Sequence, residues 1–179
     1  MKMGFLLVFV NYALRSRMSN VEFWSKSGEF GLKIADQELS QIINISTQAN
    51  TKETGGILVG FYTETHDCAV VTAVSGAPPD SQSGRNWFSR GVAGLQRWLN
   101  LLWLKKQYYY LGEWHLHPNG APNPSQTDID QMEAITTSSL YRCPEPILLI
   151  VGGSSTLGWK MRAFIFLQNE GFIELARVK

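Results

Sequence analysis

Cysteine is scarce in this chain: Cys68 and Cys143 are the only two in 179 residues. They form no disulfide framework, and neither has the Cys-x-x-Cys spacing of a closed thiolate zinc site, so both read as small core residues. Charge of one sign is also missing. Sixteen Lys and Arg face fifteen Asp and Glu, for a net charge of +1, and no strong field draws the protein to nucleic acid or to an anionic membrane. No apolar run approaches the roughly 20 residues that span a bilayer. Phe5 to Val10 holds six apolar residues after a short basic start, and no small-x-small cleavage site follows. Internal repeats and low-complexity stretches are absent. These absences point to a cytoplasmic protein with neither nucleic acid nor membrane as partner.

What is present is ample core material. Hydrophobic residues make up 44% of the chain and aromatics 12%, six of them Trp. That suffices for one domain, which we assign to residues 18–179. Residues 1–17 are expected to be a non-native or disordered N-terminal extension, with Met18 as the biological start.

Hydrophobic periodicity predicts an α/β domain with a mixed β-sheet flanked by about three helices. Short strands are predicted over Val21 to Trp24 and Phe30 to Ile34, and an amphipathic helix over Ala35 to Gln48. Gly55 to Phe61 is a near-continuous apolar run and reads as a buried strand. Cys68 to Val74 pairs with it through a turn near His66. A long helix is predicted over Phe88 to Lys106, with Val92, Leu95, Trp98, Leu99, Leu102 and Trp103 facing inward. Tyr108 to His115 returns as a strand, Asp128 to Leu140 is a second helical stretch, and Pro146 to Val151 is a central strand. Gly158 to Phe166 and Phe172 to Val178 form a closing hairpin around Asn169-Glu170-Gly171.

Histidine is as rare as it is informative. Two of only three in the chain occur as His115-Leu116-His117, a spacing that points both rings to one face of a strand. Pro118, Pro122 and Pro124 force a loop after them. Asp128 then opens a helix, where it can swing back as a third ligand. Two imidazoles and a carboxylate leave one tetrahedral position open, the arrangement of a catalytic zinc. Taken singly, each part has an ordinary explanation: a satisfied strand histidine, or an Asp that caps a helix.

A carboxylate for proton transfer must come from elsewhere. Glu53 precedes Gly55-Gly56, where backbones can approach closely; Glu113 shares a strand face with both histidines. Spacing alone does not choose between them, and each has a plainer role, Glu53 as a solvated loop carboxylate and Glu113 as a partner that orients an imidazole. Ser125 is either a helix cap or a hydrogen-bond donor to a reacting oxygen. Arg85, Trp87, Phe88 and Arg90, in the 76–90 segment, are candidates to line a substrate groove, and Trp87 and Phe88 serve equally well as core anchors at the start of the following helix.

At these residues the chain resembles the JAMM metalloproteases of the JAB/MPN type. Their pattern is a Glu before a Gly-rich strand, then His-x-His-Pro, then a Ser and an Asp. Here it reads Glu53-Thr54-Gly55-Gly56, His115-Leu116-His117-Pro118 and Ser125-Gln126-Thr127-Asp128, with ten residues between His117 and Asp128. The resemblance covers roughly residues 28–178. It implies a JAB/MPN, cytidine-deaminase-like architecture, Zn2+ held by His115, His117 and Asp128, and Glu53 and Ser125 as catalytic residues. Gly112-Glu113-Trp114 before the His-x-His resembles a bacterial branch found in mobile elements and anti-phage operons. That implies a metalloprotease or isopeptidase that cleaves after the C-terminal tail of a ubiquitin-like or cGAS-like protein, beside an E1–E2-like operon partner. The alternative is a non-catalytic or RadC-like JAB protein that only binds partners. A zinc deaminase is excluded, since Cys143-Pro144 lacks the Pro-Cys-x-x-Cys pair that chemistry needs.

Overall fold

A computed structural model describes residues 20–178; the expected N-terminal extension and its boundary at Met18 lie outside the described residues. The elements, in chain order, are β1 (Asn20–Trp24), β2 (Gly31–Ala35), α1 (Asp36–Ala49), β3 (Thr54–Tyr62), β4 (Cys68–Val74), β5 (Gln82–Ser83), β6 (Phe88–Ser89), α2 (Leu95–Lys106), β7 (Tyr109–Pro118), α3 (Gln126–Thr137), β8 (Ile147–Ser154), β9 (Gly158–Leu167) and β10 (Gly171–Arg177). The mixed sheet flanked by three helices that periodicity predicts is what forms, and it closes into a ring in the order β1-β10-β9-β8-β7-β3-β4-β2. Two pairings are parallel, β2 with β4 and β7 with β8; the others are antiparallel.

Strand alternation builds two cores. The inner one takes a side chain from each of the eight strands, among them Phe23, Leu32, Leu58, Val71, Trp114, Leu149, Ala163 and Leu175, and Ile42 of α1 packs into it. The outer one joins Ile57, Val59, Leu148, Ile150, Phe164 and Phe166 to Met132 and Ile135 of α3. β8 reads Ile-Leu-Leu-Ile-Val because both its faces are covered. At about 25 cal/mol per Å2 of apolar surface removed from water, each fully buried Leu or Phe contributes roughly 2–3 kcal/mol.

The long helix predicted over Phe88 to Lys106 is a correction. Phe88–Ser89 instead pairs with Gln82–Ser83, and helix begins only at Leu95. Asp80 captures the N–H groups of Val92 and Ala93 at 3.0 and 2.9 Å, and Gly94 turns left-handed at φ 82°. Both satisfy the backbone in a way that competes with helix. Two of the residues expected to face inward are on the surface, Val92 at 66% and Trp103 at 49% exposed. Leu95, Trp98, Leu99 and Leu102 do pack against the outer core. The helix predicted over Asp128 to Leu140, α3, begins two residues earlier and ends at Thr137, which leaves Leu140 exposed.

Candidate active site

β7 carries the site because period-two alternation splits it. Trp114 and Leu116 point into the inner core, while Glu113, His115 and His117 point the other way, toward α3. The Pro-rich turn then returns the chain into α3. Ser125 is the N-cap: its hydroxyl accepts from Asp128 N–H at 3.2 Å, and Asp128 accepts in turn from Ser125 N–H at 2.8 Å. This reciprocal box fixes the Asp128 carboxylate over the two rings. Nδ1 of His115 lies 2.5 Å from Oδ1 of Asp128, and Nε2 of His117 lies 3.3 Å from Oδ2. Ser125 Oγ donates to the same Oδ2 at 2.6 Å.

Glu53 precedes β3, and its N–H donates to Gly84 O at 2.8 Å. Its carboxyl is half-buried and feels the charges of His117, Asp128 and His115. β3 runs against β7 with Gly55 opposite His115. A Cβ at Gly55 would meet Trp114 O at 2.4 Å and the His115 ring at 2.9 Å, so the missing side chain lets the strand lie flat against the imidazole. Phe88 closes another side, its ring edge-on to His115 at 5.7 Å.

The electrostatics are those of a compact charged cluster. Burial lowers the proton affinity of the His115 ring, but the Asp128 and Glu113 carboxylates outweigh it and push its pKa up to about 9. Burial would raise the Asp128 carboxyl, yet hydrogen bonds from His115, His117 and Ser125 hold it well below the carboxylate range. Glu53 moves the other way, raised chiefly by burial.

Glu113 is buried completely, between apolar neighbours. Arg90 grips it with Nε at 3.0 and 2.9 Å and Nη2 at 2.7 Å. Tyr110 Oη and Gln131 Nε2 complete its shell at 3.2 and 3.1 Å. With every oxygen engaged, it stands 3.6 Å from Nε2 of His115. Sequence reasoning placed Arg90 among residues that line a substrate groove; it turns inward instead, with its side chain 5% exposed. A charged Glu in the middle of an apolar strand was the signal, since it demands a buried cation. Of the other 76–90 candidates, Phe88 is buried and Trp87 is 49% exposed. His66 sits in the exposed turn before β4, as read.

As they stand, no three His, Cys, Asp or Glu side chains among the described residues are spaced around an ion; Asp128 contacts both imidazoles directly. The donor set nonetheless fits zinc. His115 Nδ1 and His117 Nε2 converge on the Asp128 carboxylate, 2.5 and 3.3 Å away, so two imidazole nitrogens and a carboxylate meet in one largely buried place.

Comparison with known proteins gives the family. The model of the prokaryotic homologs of the JAB domain matches residues 36–164, and the chain belongs to that family. A protein of Enterobacter hormaechei subsp. hoffmannii named CD-NTase/cGAS isopeptidase is 37% identical over 166 residues, covering 92% of this chain and 92% of its own. An Escherichia coli protein of the same name is 33% identical over 110 residues, covering 59% of this chain and 65% of its own. In fold, the chain is similar to the solution structure of a Desulfitobacterium hafniense protein, with a TM-score of 0.55 at 19% identity over 80% of this chain and 88% of that one.

Proposed function

We propose that this chain is a zinc-dependent isopeptidase that hydrolyses the amide joining the C-terminus of a cGAS-like nucleotidyltransferase, or of a ubiquitin-like protein, to its target. The observation that carries the reading is the meeting of His115, His117 and Asp128 beside Glu53. The names of the two relatives support the substrate class. The setting that goes with it is cytoplasmic anti-phage defence, with an E1–E2-like enzyme as the opposing conjugation partner. No described helix is long and apolar enough to cross a membrane.

His115, His117 and Asp128 would hold the metal, and the capping box keeps the carboxylate aimed at both rings. Zinc at such a site polarises a carbonyl and brings a water's pKa from about 15.7 to near 7. The Glu53 carboxylate accepts the proton of the attacking water and hands it to the departing amine as the C–N bond breaks, leaving a carboxylate and a free amine. The raised proton affinity of Glu53 suits the first half of that transfer, the acceptance of the proton. Ser125 Oγ, whose single proton rests on Asp128 Oδ2 here, turns that proton to the carbonyl oxygen as charge develops there, once the Asp128 carboxylate serves as a metal ligand.

The test is cleavage of a fusion carrying a cGAS-like or ubiquitin-like C-terminal tail, with and without a chelator. Cleavage that stops with chelator and returns with zinc supports the reading. Cleavage indifferent to chelator, or no cleavage of either tail by a zinc-loaded protein, overturns it.

A further inference from the structure

The 76–94 segment touches the site at three points. Gly84 O accepts from Glu53 N–H, Phe88 lies edge-on to His115, and Arg90 binds Glu113. Its own backbone is pinned just beyond Arg90, where Asp80 accepts from Val92 and Ala93 and Ser81 Oγ accepts from Gly91 N–H at 2.9 Å. Arg90 is therefore held from behind and faces inward. We propose that Arg90 is a positioning residue: through Glu113 it fixes the His115 ring, and with it the placement of the 76–94 segment against Glu53.

The argument is geometric. The Arg90 guanidinium meets Glu113 along one edge, with Nε and Nη2 each on a carboxylate oxygen, and Nη2 also donates to Tyr141 Oη at 2.9 Å. A planar fork sets the plane of the carboxylate as well as its charge, which a lysine ammonium does not do. Glu113 so oriented presents Oε2 toward His115 Nε2 at 3.6 Å, a nitrogen with no hydrogen-bond partner of its own. A proton on Nε2 directed at that carboxylate leaves Nδ1, which faces Asp128, to act as ligand. A carboxylate behind a ligand imidazole steadies the ring only if the carboxylate itself is held, and Arg90 holds it from a different stretch of chain.

This role rests on the zinc reading, but part of its test does not. Arg90→Met/Glu113→Leu removes both buried charges and fills their space, so a purely structural pair would be replaced without loss of fold. Thermal unfolding checks the fold, chelator competition measures zinc affinity, and steady-state cleavage separates kcat from KM. In the metal-free protein, the downfield imidazole N–H resonance of His115 reports how firmly the ring is held. The double variant is expected to stay folded, bind zinc about 10–100-fold more weakly, lose kcat with little change in KM, and broaden the Nε2–H resonance. Arg90→Lys is expected to shift the same readouts in the same direction and less far, and it serves alone if the double variant does not fold. A folded double variant, or a folded Arg90→Lys, with wild-type zinc affinity, kcat and N–H resonance overturns the proposal. A wild-type protein that neither binds zinc nor cleaves ends the isopeptidase reading, while the N–H resonance still decides whether Arg90 holds the ring.

Discussion

The two faces of β7 are built from adjacent residues and do opposite things. Inward, Trp114 and Leu116 lie in an apolar core, with the indole N–H donating to Ser75 O at 2.8 Å. Outward, Glu113, His115 and His117 crowd charge into a place with little water. The inner face stabilises the fold through burial. The outer face has desolvation to offset, and does so only through dense mutual hydrogen bonding. A strand locked by one face can therefore carry a densely charged cluster on the other.

Removing a central member of the outer face has the largest expected effect. His115→Ala or Asp128→Ala should lose zinc, read by metal content after dialysis, and cleavage should fall to background. Glu53→Ala should retain zinc yet lower kcat by about 10²–10⁴-fold; full activity in that variant would transfer the base role elsewhere. Because burial raises the Glu53 pKa, its carboxyl in the metal-free protein, followed by NMR, should titrate above the ordinary glutamate range, and zinc should pull that titration back down. The same shift has a stability sign. A raised carboxyl favours the fold below its unfolded pKa, and that contribution is lost as pH rises through the folded value. Metal-free Glu53→Gln should therefore be more stable than wild type at neutral pH, with the difference vanishing in acid.

The inner face breaks differently. Trp114→Ala should cost about 3–5 kcal/mol in denaturant unfolding, while the molecules that remain folded bind zinc as before. Ser125→Ala is intermediate: about 1 kcal/mol of stability from the lost cap, with about 3 kcal/mol added to the barrier if its hydroxyl serves the carbonyl oxygen. The smallest effect belongs to the exposed Arg162–Glu174 pair, 2.6 Å apart with both side chains at least one-third exposed. Glu174→Gln should change stability by no more than about 1 kcal/mol, and less still at high salt.

The contrast between faces also marks what the sequence could disclose. Period-two alternation in Tyr109–Pro118 was readable directly, as was the prolyl turn that returns Asp128. The continuous apolar runs of β3 and β8 announced strands covered on both sides, and the β9–β10 hairpin declared its turn. The false helix start at Phe88 had apolar spacing in its favour, and the competitor was Asp80, eight residues upstream of Phe88 and invisible to any local window. Arg90 was misplaced for the same reason: its partner lies 23 positions away. Closure of the sheet depends on β1 finding β10 across almost the whole chain, which no local pattern encodes.

That last junction has a consequence for how the molecule fails. Among the described residues, β1 and β10 pair through Phe23–Arg177 and Trp24–Ala176, with Val178 N–H donating to Glu22 O at 2.8 Å. β3, β7 and β8 are zipped along most of their lengths. Heating should part the ring at this narrow join while the histidine-bearing strands remain paired. The two freed margins would then offer unmet hydrogen bonds to a second molecule, so loss of solubility should precede loss of the reactive cluster.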